Sequence, residues 1–373
     1  MDFGFSEQQR DVQQLARQIL SEQVTPEKLA AYDDYAAERF DQELWQQLAD
    51  AGLLGVAIAE QHGGMGFGFI ELALLVEEVG RSIAPLPAIS HAVSAALTIQ
   101  RFGSDAQRET WLPPAVRGET ILTAGLGEAS TACTVQGQSA GSGWILSGGT
   151  AYVPYAAVAE RILLPAETEE GTIMVLLDPQ APGVSLTGLP YTTYEPLYEL
   201  ACDAVEIEAG DVLAGPADGV AVLRWATERS MAAVCAHQLG VTDVSMRMTA
   251  SYTAEREQFG VPVATFQAVG HRAANCFIDV ECLRLNTWQA VSLLDADADA
   301  TTEVQIAKIW AGDVGHRVSY ASQHMHGGTG IDRDYPLWRY CLWARHNETV
   351  LGGSARQLAA LGERIAAGDA SCN

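Results

Sequence analysis

Positive charge is scarce: 22 lysines and arginines stand against 47 aspartates and glutamates in 373 residues, a formal net charge of -25. This argues against a nucleic-acid partner, because phosphate contacts need clustered Lys and Arg. An anionic small ligand must find a local basic patch instead. Cysteine is sparse too. The seven cysteines (Cys133, Cys202, Cys235, Cys276, Cys282, Cys341 and Cys372) are odd in number and form no CxxC pair, which argues against a disulfide framework or a zinc site and suits a reducing cytoplasm. No uninterrupted apolar run approaches ~20 residues, and the opening MDFGFSEQQRDVQQ lacks a basic stretch followed by an apolar one, so neither membrane spanning nor export is expected. There is no GxxxxGK[ST] loop, no GxGxxG after a strand and no GxSxG elbow, and no repeat or low-complexity linker.

What is present is 48% hydrophobic residues, enough for a large core and two or three domains. Up to about Arg117 the pattern is helical. SEQQRDVQQLARQIL offers Ser6 as an N-cap with Val12, Leu15, Ile19 and Leu20 on one face, and DQELWQQLADAG offers Gly52 as a C-cap. FIELALLVEEVGRSI and AISHAVSAALTIQRFG continue the series. From about Thr120 to Gly215 short runs such as ERILLPA and GTIMVLLDP are separated by Gly, Pro, Asp and Ser, which predicts antiparallel β-structure. Long helical patterns then resume and run to ARQLAALGERIA. The expected organisation is mainly α with an inserted β domain: helices over residues 1–118, a β domain over 119–215 and a helical bundle over 216–373. The apolar stripes are wide, which favours oligomerisation.

Three glycine clusters punctuate the chain: HGGMGFG at residues 62–68, HGGTG at 326–330, and VLGGSARQ around Gly352 and Gly353. Each alone reads more readily, roughly two to one, as a helix terminus or turn than as bare backbone that a ligand can approach. The segment EREQFGVPVATFQAVGHR adds Arg256, Phe259, Gly260, Pro262, Phe266 and Gln267 around a helix break. A cation beside exposed backbone N–H groups suits a pyrophosphate, and an aromatic and an amide suit a flat ring system; a surface Arg beside a buried Phe is the alternative. His271, His324 and His326 lack the acidic or Cys neighbours that a metal site needs and read as hydrogen-bonding residues. No metal is expected.

Taken together, these motifs resemble the FAD-dependent acyl-CoA dehydrogenases over nearly the whole chain. The resemblance rests on LWQQLADAGLLGVAIAEQHGGMG, EEVGRSIAPLP, the RxxFG block REQFGVPVATFQAVGHR, HGGTGIDRDYP and the stretch into LGGSARQ. It implies an N-terminal helical domain, a middle antiparallel β domain and a C-terminal four-helix bundle, assembled as a dimer of dimers. It also implies a reaction in which a carboxylate removes the α-proton of an acyl-CoA thioester while FAD takes the β-hydrogen as hydride, with electron-transfer flavoprotein as the acceptor.

By that resemblance Arg256, Phe259, Gln267, Gly327 and Gly328 fall where the family contacts a neighbouring subunit's FAD, and His324 stands where the family usually has Gln. The middle domain departs from the pattern. GEA (Gly127, Glu128, Ala129) replaces the family's Thr-Glu-Pro, and Tyr152, Val153 and Pro154 replace its Trp-Ile-Thr or Trp-Ile-Ser. Pro154 offers the flavin neither a hydroxyl nor an N–H. The family's base position falls on Leu351, and its second base location on Ser230. Glu228 is two residues from Ser230, about 200° around a helix, and Glu348 is about one turn before Leu351; these are the weak candidates for a substitute base.

Kept donor motifs, altered flavin-facing residues and an absent base point to the non-catalytic subunit of an α2β2 heterotetramer. In that arrangement, as in the enzymes of bacterial steroid side-chain degradation, a homologous partner carries the base and this chain completes a shared FAD site. The substrate would be a bulky acyl-CoA. The alternatives are a self-sufficient homo-oligomeric dehydrogenase using Glu228 or Glu348, a flavin monooxygenase on the same fold, and an acyl-CoA-binding protein without flavin.

Overall fold

A computed structural model describes residues 4–35, 39–127, 135–141 and 143–370. Helix α1 (Glu7–Gln23) begins at a capping box: Gln9 N donates to Ser6 Oγ, and Ser6 N donates back to Gln9 Oε1. The helix buries Val12, Ala16 and Leu20 at intervals of four, whereas Leu15 is 38% exposed, so the buried face is narrower than the apolar stripe. Helices α2 (Pro26–Ala30), α3 (Gln42–Asp50) and α4 (Phe69–Ser82) follow. Gly52, at φ +77°, ends α3 in the left-handed conformation as the sequence suggests. The AISHAVSAA run departs from expectation. Ile89–Ala96 is a π-helix that leads into α5 (Leu97–Phe102), before α6 (Asp105–Val116).

The β region contains β1 (Leu122–Ala124), β2 (Gln136–Ala140), β3 (Gly143–Pro154), β4 (Arg161–Thr168), β5 (Gly171–Leu177), β6 (Val184–Leu189), β7 (Leu197–Ile207) and β8 (Val212–Ala214). Among the described residues these form one sheet of order β6-β7-β3-β2-β4-β5-β8, with β1 beside β4. Pairing is mostly antiparallel; β1 joins β4 in parallel, and β2 meets β4 in parallel at Gln136 and Glu167. Strands β4 and β5 are buried on both faces. Ile162, Leu164, Ile173, Val175 and Leu177 enter one core, while Leu163, Met174 and Leu176 enter a second one with Ile99, Leu112 and Val116. This explains why their sequences read as continuous apolar runs rather than as an alternation.

The C-terminal helices are α7 (Gly219–Glu255), α8 (Gln267–Asp295), α9 (Thr301–His326), α10 (Leu337–Thr349) and α11 (Ser354–Ala367). A two-stranded hairpin, β9 (Glu257–Gln258) and β10 (Val261–Pro262), separates α7 from α8. By contacts the chain forms two compact units, one of Met1–Leu75 with Pro85–Ser230 and the other of Val76–Ala84 with Met231–Asn373.

In the second unit the end of α4 lies backbone to backbone on α7. A Cβ on Gly80 would fall 2.2 Å from His237 O, and one on Gly240 2.2 Å from Glu77 O. The approach brings Arg81 within 2.5 Å of the buried Asp243 and 2.7 Å of the buried Glu77, and Arg247 and Arg284 complete the cluster. Burial pushes the Asp243 carboxyl up, but hydrogen bonds from Arg247 and Arg81 outweigh it and hold the group below its usual range. Glu77 goes the other way, because its burial outweighs the attraction of Arg81.

Candidate functional site

The break after α10 is a tightly specified turn. Leu351 has φ +55° and Gly352 φ +93°, while Gly353, at φ -72° and ψ 175°, is the N-cap residue of α11. Gly352 is thus required by its conformation. At Gly353 the constraint is space, since an added Cβ would sit 3.3 Å from Glu348 O. An L-residue with a side chain costs roughly 1 to 2 kcal/mol in the left-handed region, so Leu351 is held there by its surroundings. Glu348 is on α10 with its carboxylate 2.7 Å from Arg345 and 3.5 Å from His316 Nδ1. It would have to leave a cation to act as a base.

A second cluster lies at the α7–α8 break. Phe259 and Gly260 form the two-residue tip of the β9–β10 hairpin with φ of +56° and +79°, the signs a type I′ turn demands of both residues. Phenylalanine rarely adopts that conformation. Its ring is 94% exposed and meets only the edge of Phe266, with centroids 6.3 Å apart. Arg256 is exposed, and its guanidinium makes no hydrogen bond or ion pair among the described residues. Gln267 is the exposed first residue of α8, whose N-terminus has no side-chain cap. A free cation, a bare ring and uncapped N–H groups therefore share one short segment.

The HGGTG stretch ends α9. Gly327, at φ +62° and ψ -136°, takes a backbone conformation essentially restricted to glycine, and a Cβ on Gly327 or Gly328 would meet nothing within 4 Å. Both expose open backbone. His324 is exposed, while His326 is buried and organises the turn. His326 Nδ1 is 2.8 Å from Ser322 O, to which it donates as N–H, so Nε2 accepts from Tyr335 OH at 3.2 Å. Tyr252 stacks on the imidazole at 4.2 Å and donates to His326 O and Thr329 Oγ1 at 3.3 Å. Burial lowers the His326 pKa, which suits a neutral ring in this role.

In the first unit, Tyr152 has φ +61° at an irregularity in the β3–β7 pairing, Val153 is fully buried, and Pro154 O accepts from Thr123 Oγ1 at 2.6 Å. Gly127 has φ +85°, and Glu128 and Ala129 lie outside the described residues. Ser230 is 1% exposed; its hydroxyl donates to Ala226 O at 2.7 Å and so accepts from Ser94 Oγ at 2.7 Å. Glu228 is half-buried rather than at the open surface that the helical count predicts. No group of three or more His, Cys, Asp or Glu is arranged to hold a metal ion among the described residues. No described helix is long and apolar enough to cross a membrane.

Comparison with known proteins agrees with this arrangement. Residues 6–119 match the acyl-CoA dehydrogenase N-terminal domain, and residues 217–366 match the acyl-CoA dehydrogenase C-terminal domain. The acyl-CoA dehydrogenase FadE27 of Mycobacterium tuberculosis is 37% identical over 374 residues, covering 98% of this chain and 99% of that protein. A chain in the crystal structure of the ChsE4–ChsE5 complex from Mycobacterium tuberculosis superposes with a TM-score of 0.94 at 37% identity, covering 98% of this chain and 99% of that one. A chain in a variant of the Tcur3481–Tcur3483 steroid ACAD gives 0.90 at 39% identity, with the same coverage. The chain belongs to the acyl-CoA dehydrogenase family, whose members are flavin-dependent oxidoreductases.

Membership implies FAD, and the residues fit it unevenly. The unpaired Arg256, the exposed Phe259 and the open Gly327–Gly328 backbone suit the diphosphate and purine end of the cofactor. The end of β3 suits the flavin ring less well, since Pro154 has neither an N–H nor a hydroxyl to donate, and its carbonyl already accepts one hydrogen bond from Thr123.

Proposed function

We propose that this chain is the base-lacking subunit of an α2β2 acyl-CoA dehydrogenase, in which it completes an FAD site shared with a homologous subunit that carries the catalytic glutamate. The observation that carries this reading is Leu351, a side chain that can accept no proton, in a turn whose conformation is specified in detail. Supporting it are the solvent-facing Arg256, Phe259, Gln267, Gly327 and Gly328, which this chain does not itself cover, and His324 beside them. The two similar structures are named as two-protein assemblies, one of them a steroid ACAD, and this favours a bulky, steroid-derived acyl-CoA as substrate.

In this assembly Arg256, Phe259 and the bare backbone of Gly327 and Gly328 are the residues that would hold the diphosphate and purine end of the cofactor. When bound, FAD accepts the β-hydrogen as hydride. The α-proton goes to the partner's carboxylate, and electron-transfer flavoprotein takes the electrons. The protein acts in the cytoplasm, with its domains divided at about residues 118 and 215.

The test is expression of the chain alone and together with a glutamate-bearing homologue, followed by measurement of bound FAD and subunit ratio. A colourless chain alone and a yellow complex with equal subunits are expected, and Arg256→Ala should lower the FAD content of the complex. Full flavin occupancy in the chain alone, with turnover of an acyl-CoA, would favour the homo-oligomeric alternative and end this proposal.

A further inference from the structure

The Leu351–Gly353 turn does not hold itself. Its own carbonyls and those at the end of α10 just before it are met by side chains from α11 and α9. From α9, Lys308, fully buried, donates from Nζ to Asn347 O at 2.9 Å and to Glu348 O at 3.1 Å. These are among the last carbonyls of α10, which have no partner within the helix and carry the negative end of its dipole. From α11, Gln357, 6% exposed, donates from Nε2 to Leu351 O at 3.1 Å and to Gly352 O at 3.5 Å. A third contact ties the start of α11 to α9, where Ser354 Oγ donates to Ile309 O at 3.1 Å and a Cβ on Gly312 would fall 2.3 Å from that hydroxyl.

We infer that Lys308 and Gln357 are positioning residues for residue 351: one fixes the end of α10, the other fixes the left-handed turn, and together they set where the side chain at 351 is presented. Burying an ammonium is costly, and such a group is sustained only by strong hydrogen-bond acceptors. Here the acceptors are the last backbone carbonyls before the turn, so the ammonium and the helix end stabilise each other. Gln357 acts where the backbone is least favourable, since Leu351 and Gly352 both have positive φ and their carbonyls cannot continue the helix ladder. Neither residue touches a reacting atom. The inference rests on the proposed function only for its importance to a shared active site.

The experiment is hydrogen exchange, followed by mass spectrometry, on the full-length chain and on Lys308→Met and Gln357→Met. Each substitution keeps an unbranched, flexible side chain, one atom shorter in Lys308→Met and of equal length in Gln357→Met, and removes the donor. Both variants, altered on different helices, should speed exchange in the peptide spanning residues 347–354 by about tenfold or more, while central α8 amides keep their protection. If Lys308→Met fails to fold, Gln357→Met carries the test. Unchanged exchange over 347–354 in a folded variant overturns the inference, as does a uniform rise across all helices. The readout needs neither flavin nor partner, so a chain that acquires no FAD even when co-expressed with a glutamate-bearing homologue would end the functional proposal and leave the clamp standing.

Discussion

Leu351→Glu places a carboxylate at the position onto which the family resemblance maps its first base location, and the structure sets both sides of the expected outcome. The backbone cost is unchanged, because leucine and glutamate bear the φ of +55° equally. The hydrogen bonds from Gln357 reach main-chain oxygens of residues 351 and 352, and the substitution leaves them in place. Leu351 is half-buried, so replacing it forfeits about 1 kcal/mol of apolar burial, which for a chain of this size lowers Tm by about 1 to 2 °C. A base in the right place contributes about 10² to 10⁴ in rate.

If the missing base were the sole defect, Leu351→Glu alone would therefore gain at least a hundredfold in acyl-CoA-dependent reduction of an electron acceptor. The proposal expects no such gain. Its second defect lies at the end of β3, where Pro154 offers neither an N–H nor a hydroxyl as donor. The variant expressed alone should stay colourless and at background turnover while melting within a few degrees of the parent. Stoichiometric FAD with a hundredfold gain in the chain alone would refute the reasoning.

Two predictions concern stability. His91 is fully buried in the π-helix, accepts from Leu122 N at 3.1 Å, and has its pKa pushed down by burial to about 4. The unfolded chain then takes up the proton first as pH falls, so stability should be intact above about 6.5 and decline by up to about 3 kcal/mol toward pH 4. Urea unfolding across that range should show a shallower slope in His91→Phe, and equal slopes would refute the assignment. Gly240→Ala places a methyl 2.2 Å from Glu77 O, against backbone that cannot rotate away, and should cost at least about 2 kcal/mol of unfolding free energy. A loss under about 0.5 kcal/mol would mean that α4 and α7 separate freely.

The elements legible in the sequence are those with one buried face or an explicit stop signal. Ser6 and Gln9 announce α1, and Gly52 closes α3, because capping chemistry is local. The π-helix was not legible, since its widened ladder leaves small residues such as Ala92, Ser94 and Ala95 in a pattern that also fits an α-helix. Helix α10 is legible as part of the resumed helical pattern but shows no distinct apolar face. It buries Trp338, Arg339, Cys341, Trp343, His346 and Asn347 together, so neither face reads as apolar. The glycine clusters and the RxxFG block coincide with turns of positive φ at Gly260, Gly327 and Gly352, but Lys308 reads in the sequence as an ordinary surface charge. Its burial follows only from the packing of α9 against the end of α10, a contact across 39 residues of chain.

The hold that other helices exert on this turn bears on how residue 351 can change while its backbone keeps its shape. Leucine has no polar atom with which to stabilise a left-handed backbone, unlike asparagine or aspartate. The conformation of residue 351 must therefore be imposed from outside it, by Gly352 on one side and by Lys308 and Gln357 through neighbouring carbonyls. A turn held in this way is indifferent to the side chain at 351. Chemistry at that position can disappear while the backbone beside it keeps the shape that a cofactor or a partner subunit meets. The same logic applies at Phe259, where the hairpin pairing of β9 with β10, rather than the aromatic residue, sets the positive φ that leaves the ring in solvent. Residues 351 and 259 are both strained positions held by their frames, so changing the frame should alter the function of each more than changing the residue alters the frame.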